Sequence, residues 1–263
     1  MSETVQTLRS SFYISIKTAF AAVPPWLWLI QIMLTTFFSM AFFVLIAANT
    51  SNPEEAVSYV AIGNAVQSIA MVSMYSISMI PGTQKHMGTM QTLMQTPSRM
   101  YIIFVGMALF SILSGFFSVG VSFIYAWGFG VDFSMINAMT LIVVMLVTAF
   151  SMSCVGMAIG SVGIYLRTSM ILANIMAYIG LVISGVNFPV DQLPGWVQYI
   201  SYVYPLTYAV EATRDTFNGA GIMDVSYELG IMIIMGLIFL TASVILFRYF
   251  EKATRRTGKL DSF

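Results

Sequence analysis

The sequence predicts an all-α integral membrane protein with six transmembrane helices, an N-terminal interfacial helix and a re-entrant helical segment on the outer side before the last span. Three observations predict it. Of 263 residues, 58% are hydrophobic and 8% charged, where a soluble domain carries about 25% charge, and the mean hydropathy is +0.85. Six apolar stretches are each long enough to cross a hydrocarbon core at about 20 residues per crossing. None of the six contains Asp, Glu, Lys, Arg, His or Pro. Finally, the cations alternate from one side of these stretches to the other. This composition excludes a soluble enzyme and a disordered tail. It also excludes a nucleic-acid partner, which needs a basic face, because 11 Lys+Arg balance 11 Asp+Glu. A single cysteine, Cys154, excludes a disulfide framework and a Cys-based zinc site.

Taken in order, residues 1–25 read as a cytoplasmic amphipathic helix. Val5, Leu8, Phe12, Ile16 and Phe20 recur every three or four residues, with Thr4, Thr7, Ser11 and Lys17 between them. No apolar core followed by a cleavage site marks it as a signal peptide. Pro24 and Pro25 end this helix and turn the chain into the first span, with Trp26 and Trp28 at headgroup depth. The spans run Leu27–Ala48, Val57–Ile80, Tyr101–Trp127, Ile136–Gly163, Met170–Asn187 and Leu229–Phe247 within one domain, 26–250. A basic cytoplasmic tail, 251–263, follows. Ten of the eleven cations fall on one side: Arg9, Lys17, Lys85, Arg99, Arg167, Arg248, Lys252, Arg255, Arg256 and Lys259. Only Arg214 falls on the other. The positive-inside rule then puts both termini in the cytoplasm of a multi-pass protein of the cell (plasma or inner) membrane.

The spans carry polar stripes. Gln31, Thr35 and Ser39 lie four apart, and Asn64, Gln67, Ser68 and Tyr75 share a face. Ser114, Ser118 and Ser122 repeat every four residues, Gly156 and Gly160 form a small-xxx-small pair, and Asn174 aligns with Tyr178. Two readings stay open: helix packing through small residues and cross-helix amides, or the wall of a substrate path. A carboxamide facing lipid is costly, so each must face protein or a cavity. The candidate path residues are Gln31, Thr35, Ser39, Asn64, Gln67, Asn174 and Tyr178. No acidic or histidine relay lies within the spans. The one histidine, His86, is outside them, so neither a catalytic residue nor a metal site is expected. Gly258-Lys259 is followed by Leu260 rather than Ser or Thr, so the chain has no P-loop. Energy for uphill movement must therefore come from a separate subunit.

Two connections are informative. On the cytoplasmic side, Met87, Met90, Leu93 and Met94 form one apolar face of a short helix, which Thr89 caps and Pro97 ends. Such a stripe needs a cover, either headgroups or a partner's groove. On the outer side, residues 188–214 are rich in Trp and Tyr. Proline punctuation predicts short helices between Pro194 and Pro205 and again after Pro205.

At these two places the chain resembles the permease subunits of type-2 ABC exporters. Phe188, Pro189, Leu193, Pro194, Trp196, Ile200, Ser201, Pro205, Leu206, Thr207, Tyr208 and Arg214 match that family's outer motif in order and spacing. Gly88, Thr89, Leu93, Pro97 and Arg99 match its cytoplasmic one. The chain departs from it with Gln84 and Gln91, where acidic residues are frequent. The resemblance implies a permease domain at 26–250 that pairs with a second copy or a homologue. It also implies two cytoplasmic ABC ATPase subunits, which bind ATP and Mg, while this chain binds no cofactor. Met87, Gly88, Thr89, Met90, Leu93, Met94 and Pro97 would couple to the ATPase. Phe188, Pro189, Leu193, Pro194, Trp196, Pro205 and Tyr208 would form the outer gate. The implied activity is export of a lipophilic or amphipathic substrate such as a drug, antibiotic, peptide or lipid. Export of a lipid-linked polysaccharide, and a membrane immunity or sensor protein that transports nothing, are the alternatives.

Overall fold

The computed structural model describes residues 3–22, 24–86, 88, 100–166 and 169–257. Every regular element among them is helical: α1 (Glu3–Ala22), α2 (Pro25–Ala47), α3 (Pro53–Ser78), α4 (Ile80–His86), α5 (Met100–Gly128), α6 (Ala138–Leu166), α7 (Ser169–Ile183), a 3-10 turn (Val190–Gln192), α8 (Gly195–Ser201), α9 (Pro205–Phe217) and α10 (Ser226–Thr257).

Proline sets the starts. Pro25, Pro53 and Pro205 each sit in the first turn of a helix, where a missing N–H costs nothing and a fixed φ helps. α1 and α2 are separate helices, and the Pro24 carbonyl accepts the Trp28 N–H at 3.1 Å. α1 lies along α5, with Ser11 buried. The contact is close: a Cβ on Gly106 would stand 2.7 Å from the Ser11 Cβ.

α3 is the hub. It packs against α2, α5, α6, α7 and α9, and fourteen of its residues from Val60 to Ser78 are buried. Small residues let neighbouring backbones reach it. A Cβ on Gly156 of α6 would meet the Met74 carbonyl oxygen at 2.4 Å, and Gly160 lies along Ser78 one turn later. This pair is a packing seam.

Among the described residues, five helical stretches are long and apolar enough to cross a membrane: Pro25–Ala47, Pro53–Gln84 (α3 running into α4), Val105–Gly128, Ala138–Gly163 and Ser226–Tyr249. The remaining expected span, Met170–Asn187, holds a shorter apolar helix. α7 has 15 residues, about 22 Å at 1.5 Å per residue, against a hydrocarbon core of about 30 Å. The apolar run continues to Val186, but the helix stops at Ile183. Gly185 then takes φ +73°, the left-handed region that ends helices.

The connections sort to two ends. At the end expected to face outward, residues 129–137 pack on the last turn of α9: Phe133 meets Phe217 at 5.0 Å between ring centroids, and the Asn137 N–H donates to the Thr216 carbonyl. At the other end α4 lies near the start of α7, with Gly82 facing the Ser169 hydroxyl.

Candidate functional site

The polar residues of α3 bind mainly α7 and the segment just after it, and one of them binds α5. Tyr59 donates its hydroxyl to the Gly185 carbonyl at 3.1 Å. Asn64 Nδ2 donates to its own helix at Val60 O and to Asn187 Oδ1, both at 2.9 Å. Gln67 Nε2 donates to Ala177 O of α7 at 3.4 Å. Ser68 Oγ accepts from Ser122 of α5 at 2.7 Å. Tyr75 donates its hydroxyl to Asn174 Oδ1 at 2.5 Å. A carboxamide in hydrocarbon needs such partners, and Asn64 and Gln67 are only 5% and 4% exposed.

These contacts leave a cleft of about 100 Å³ between α2, α3 and α5. Thr35 and Ser39 line it from α2, Asn64, Gln67 and Ser68 from α3, and Ser118 from α5. The structure therefore gathers four of the seven candidate path residues in one place. Gln31, Asn174 and Tyr178 are not in its wall. Gln31 is exposed on α2 and its backbone carbonyl takes the Thr35 hydroxyl at 2.7 Å. Asn174 is occupied by Tyr75, and the Tyr178 ring is exposed on α7.

The end expected to face outward is held by a cluster that the candidate residues did not include. One guanidinium nitrogen of Arg214, Nη2, reaches the carbonyls of Gly185 (2.8 Å), Tyr59 (3.1 Å) and Val186 (3.2 Å). Its plane lies 3.3 Å over the centroid of the Tyr59 ring, a cation–π contact. α9 is thus clasped to the start of α3 and to the open end of α7. Burial pulls the Arg214 guanidinium down to about 10, with Tyr59 and Glu211 opposing that shift, so it stays cationic at neutral pH. The sequence signal was present: Arg214 is the one cation on its side of the tally. Its partners left no mark, because backbone carbonyls are offered by every residue.

Of the expected gate residues, Pro189 lines one cavity with Tyr59, Gly185 and Arg214. Two short helices follow Pro194 and Pro205, and Tyr208 and Pro205 are buried. Tyr208 donates to Tyr202 O at 3.1 Å, and Thr207 to Ser201 O at 2.7 Å, which fixes the corner between α8 and α9. Gln198 donates to Leu193 O at 2.8 Å, and the Val197 N–H to Pro194 O at 2.8 Å. Phe188 and Pro189 border a groove of about 490 Å³ whose other wall is Phe43 and Ile46 of α2 with Glu55 and Tyr59 of α3. Trp196 is 70% exposed. Of the expected coupling residues, Met87, Thr89, Met90, Leu93, Met94 and Pro97 lie outside the described residues. Gly88 is exposed with φ +69°.

Two comparisons bear on this arrangement. Residues 61–218 match the family model described as ABC-2 type transporter. The matched stretch is more than half of the chain and takes in the hub helix from Ala61 on, the cleft's α3 and α5 walls and the whole clasped outer segment. No curated protein matches the sequence.

Proposed function

This chain belongs to the ABC-2 type transporter family as a transmembrane permease, and from that premise we propose that it is the membrane half of an ATP-driven exporter. Two cytoplasmic ABC ATPase subunits bind ATP and Mg and supply the force. A second permease, a copy or a homologue, completes the path. The cargo is lipophilic or amphipathic: a drug, antibiotic, peptide or lipid. The complex sits in the cell membrane with both termini of this chain inside, and α7 makes the sixth crossing together with the outer segment that follows it.

In this reading the coupling segment Met87–Pro97 docks into the ATPase, and closure of the ATPase pair pushes on it. That push travels along α3 and α4, which lead directly into the segment. The two permease halves rock, and the path lined by Gln31, Thr35, Ser39, Asn64, Gln67, Asn174 and Tyr178 changes its access from inside to outside. Residues 188–214 form the outer gate, with the Arg214 clasp as its hinge point. The family match across 61–218 carries the reading. Also in its favour, the polar groups of α3 bind its neighbours, which gives a push on that helix somewhere to go.

The test uses vesicles. Vesicles holding this chain with its ATPase are expected to move a fluorescent lipophilic cargo on addition of ATP, while vesicles holding either subunit alone are not. Met90→Asp combined with Leu93→Asp should abolish co-purification of the ATPase and leave membrane insertion intact. Cargo movement by this chain alone, or undiminished co-purification, refutes the assignment.

A further inference from the structure

We propose that the cleft between α2, α3 and α5 is a subsite for a hydrogen-bond-donating headgroup, a hydroxyl or a protonated amine on an amphiphile, and that it rejects anionic headgroups. The permease reading is what brings an amphiphile to the cleft. What the cleft accepts follows from where its own protons point.

Both amide nitrogens in the wall already donate within the protein, Asn64 with both of its protons and Gln67 with one. Asn64 Nδ2 serves Val60 O and Asn187 Oδ1, and Gln67 Nε2 serves Ala177 O. Two of the wall's hydroxyl protons are spent as well. Thr35 donates to Gln31 O at 2.7 Å, and Ser68 donates to Ala65 O at 2.7 Å while accepting from Ser122. Two acceptors in the wall lack a donor: Asn64 Oδ1 and Gln67 Oε1 are buried and have no hydrogen-bond partner among the described residues. Ser118 Oγ is buried and unpartnered as well, and like the Thr36 and Ser39 hydroxyls of the same wall it can accept a hydrogen bond or donate one. A buried carbonyl oxygen without a donor is costly, so an occupant that brings N–H or O–H groups is favoured twice, once for its own bonds and once for theirs.

The same wall disfavours anions. No charged side chain lines the cleft, and a carboxylate or phosphate would face the negative ends of two carbonyl dipoles after losing its water. Size sets the rest. A cleft of about 100 Å³ takes a headgroup or a few waters, at about 30 Å³ per water, and not a whole cargo. Its apolar wall, Met40, Met71 and Val72, suits the first methylenes of a tail.

The experiment uses the full chain in lipid nanodiscs without ATPase or ATP. Three photoreactive twelve-carbon probes are compared at neutral pH: a primary amine, the alcohol and the carboxylate. Cross-links are mapped by mass spectrometry. We expect the amine and the alcohol to label residues 35–40 and 64–72 about tenfold more than the carboxylate, the scale of one net hydrogen bond to a buried acceptor. Gln67→Leu should reduce that preference to about threefold or less. Ser118→Ala breaks no bond of the fold, so it carries the same test if Gln67→Leu fails to insert, and it should lower labelling by the amine and the alcohol alike. Equal labelling by all three probes overturns the proposal. A preference unchanged in both variants overturns it too, by placing the discrimination elsewhere. Failure of ATP-driven transport in vesicles would instead strike the exporter reading and leave this binding result standing.

Discussion

Helices α3 and α10 are both long enough to span a membrane, and they are built on opposite plans. α10 is the most apolar of the five long helices and is mostly exposed, with only 22% of its most apolar window buried. α3 is the least apolar of the five and the most buried, at 72%. A soluble protein sorts its helices the other way round. Here lipid is as apolar as Leu and gives no reason to bury Leu. Exposed amides, by contrast, find no water in hydrocarbon and must be paired inside the protein. The difference teaches that stability in this bundle resides in close approach and polar pairing around α3. The outer faces of α2 and α10 are interchangeable grease. The comparison can be broken or sharpened by substitutions on either side of it.

The largest expected effect is at Gly63. A Cβ there would lie 2.1 Å from the Val186 carbonyl oxygen, and both sides of that contact are backbone. Gly63→Val must therefore push the 184–189 segment off α3. We expect a cost above about 3 kcal/mol, seen as loss of monodisperse protein on extraction. Recovery of Gly63→Val with unchanged thermal stability would show that this approach is not what holds the outer end.

Arg214→Leu comes next. It deletes three carbonyl contacts and the stack on Tyr59, and at the open end of α7 only the Tyr59 hydroxyl is left donating to Gly185. The expected loss is about 2–3 kcal/mol, read as a lower melting temperature in nanodiscs. Arg214→Lys should recover part of it, because an ammonium can reach a carbonyl but lacks the planar stack. On the other side of the comparison stand Leu45 of α2 and Ile234 of α10, 64% and 59% exposed. Alanine at either should change stability by less than about 0.5 kcal/mol. A loss as large as that of Arg214→Leu would mean that protein, not lipid, covers the face concerned.

How much of this was legible in the sequence depended on whether the signal lay in side chains or in backbone. The long spans were legible because uniform apolarity over twenty residues has few other meanings. The face of α3 bearing Asn64, Gln67 and Tyr75 was legible from spacing, and the structure pairs these residues across helices. The end of α7 was not legible. The apolar run from Met170 carries on past the stop, and the helix ends where Gly185 turns left-handed and Arg214 takes the Gly185 and Val186 carbonyls. The clasp was hidden for the same reason. Arg214 was visible as a lone outer cation, but a tally of charges says on which side a residue lies and nothing about whether water reaches it. The coupling stripe from Met87 to Pro97 rests on spacing and family resemblance alone.

The smallest effect expected is at Glu211, which sits one turn before Arg214 on α9 and shows what a charge does when the fold offers it no such cradle. Partial burial is the main cause that raises its carboxyl above the ordinary range. Glu228 and Asp215 add to the shift, and Arg214 opposes it. A carboxyl whose folded value is raised binds its proton more tightly in the folded state. Its favourable contribution is therefore complete below the unfolded value, about 4.3, and is lost as pH rises through the folded value. Gln holds the site permanently neutral. Glu211→Gln should accordingly melt slightly higher than the parent at pH 7, and the two should converge below about pH 4. Thermal melts of both proteins across that range decide it. A gain that persists at low pH would assign the effect to packing of the amide. A loss at pH 7 would mean that the carboxylate supports Arg214 across the turn, and that the clasp extends beyond the three carbonyls and the ring that form it.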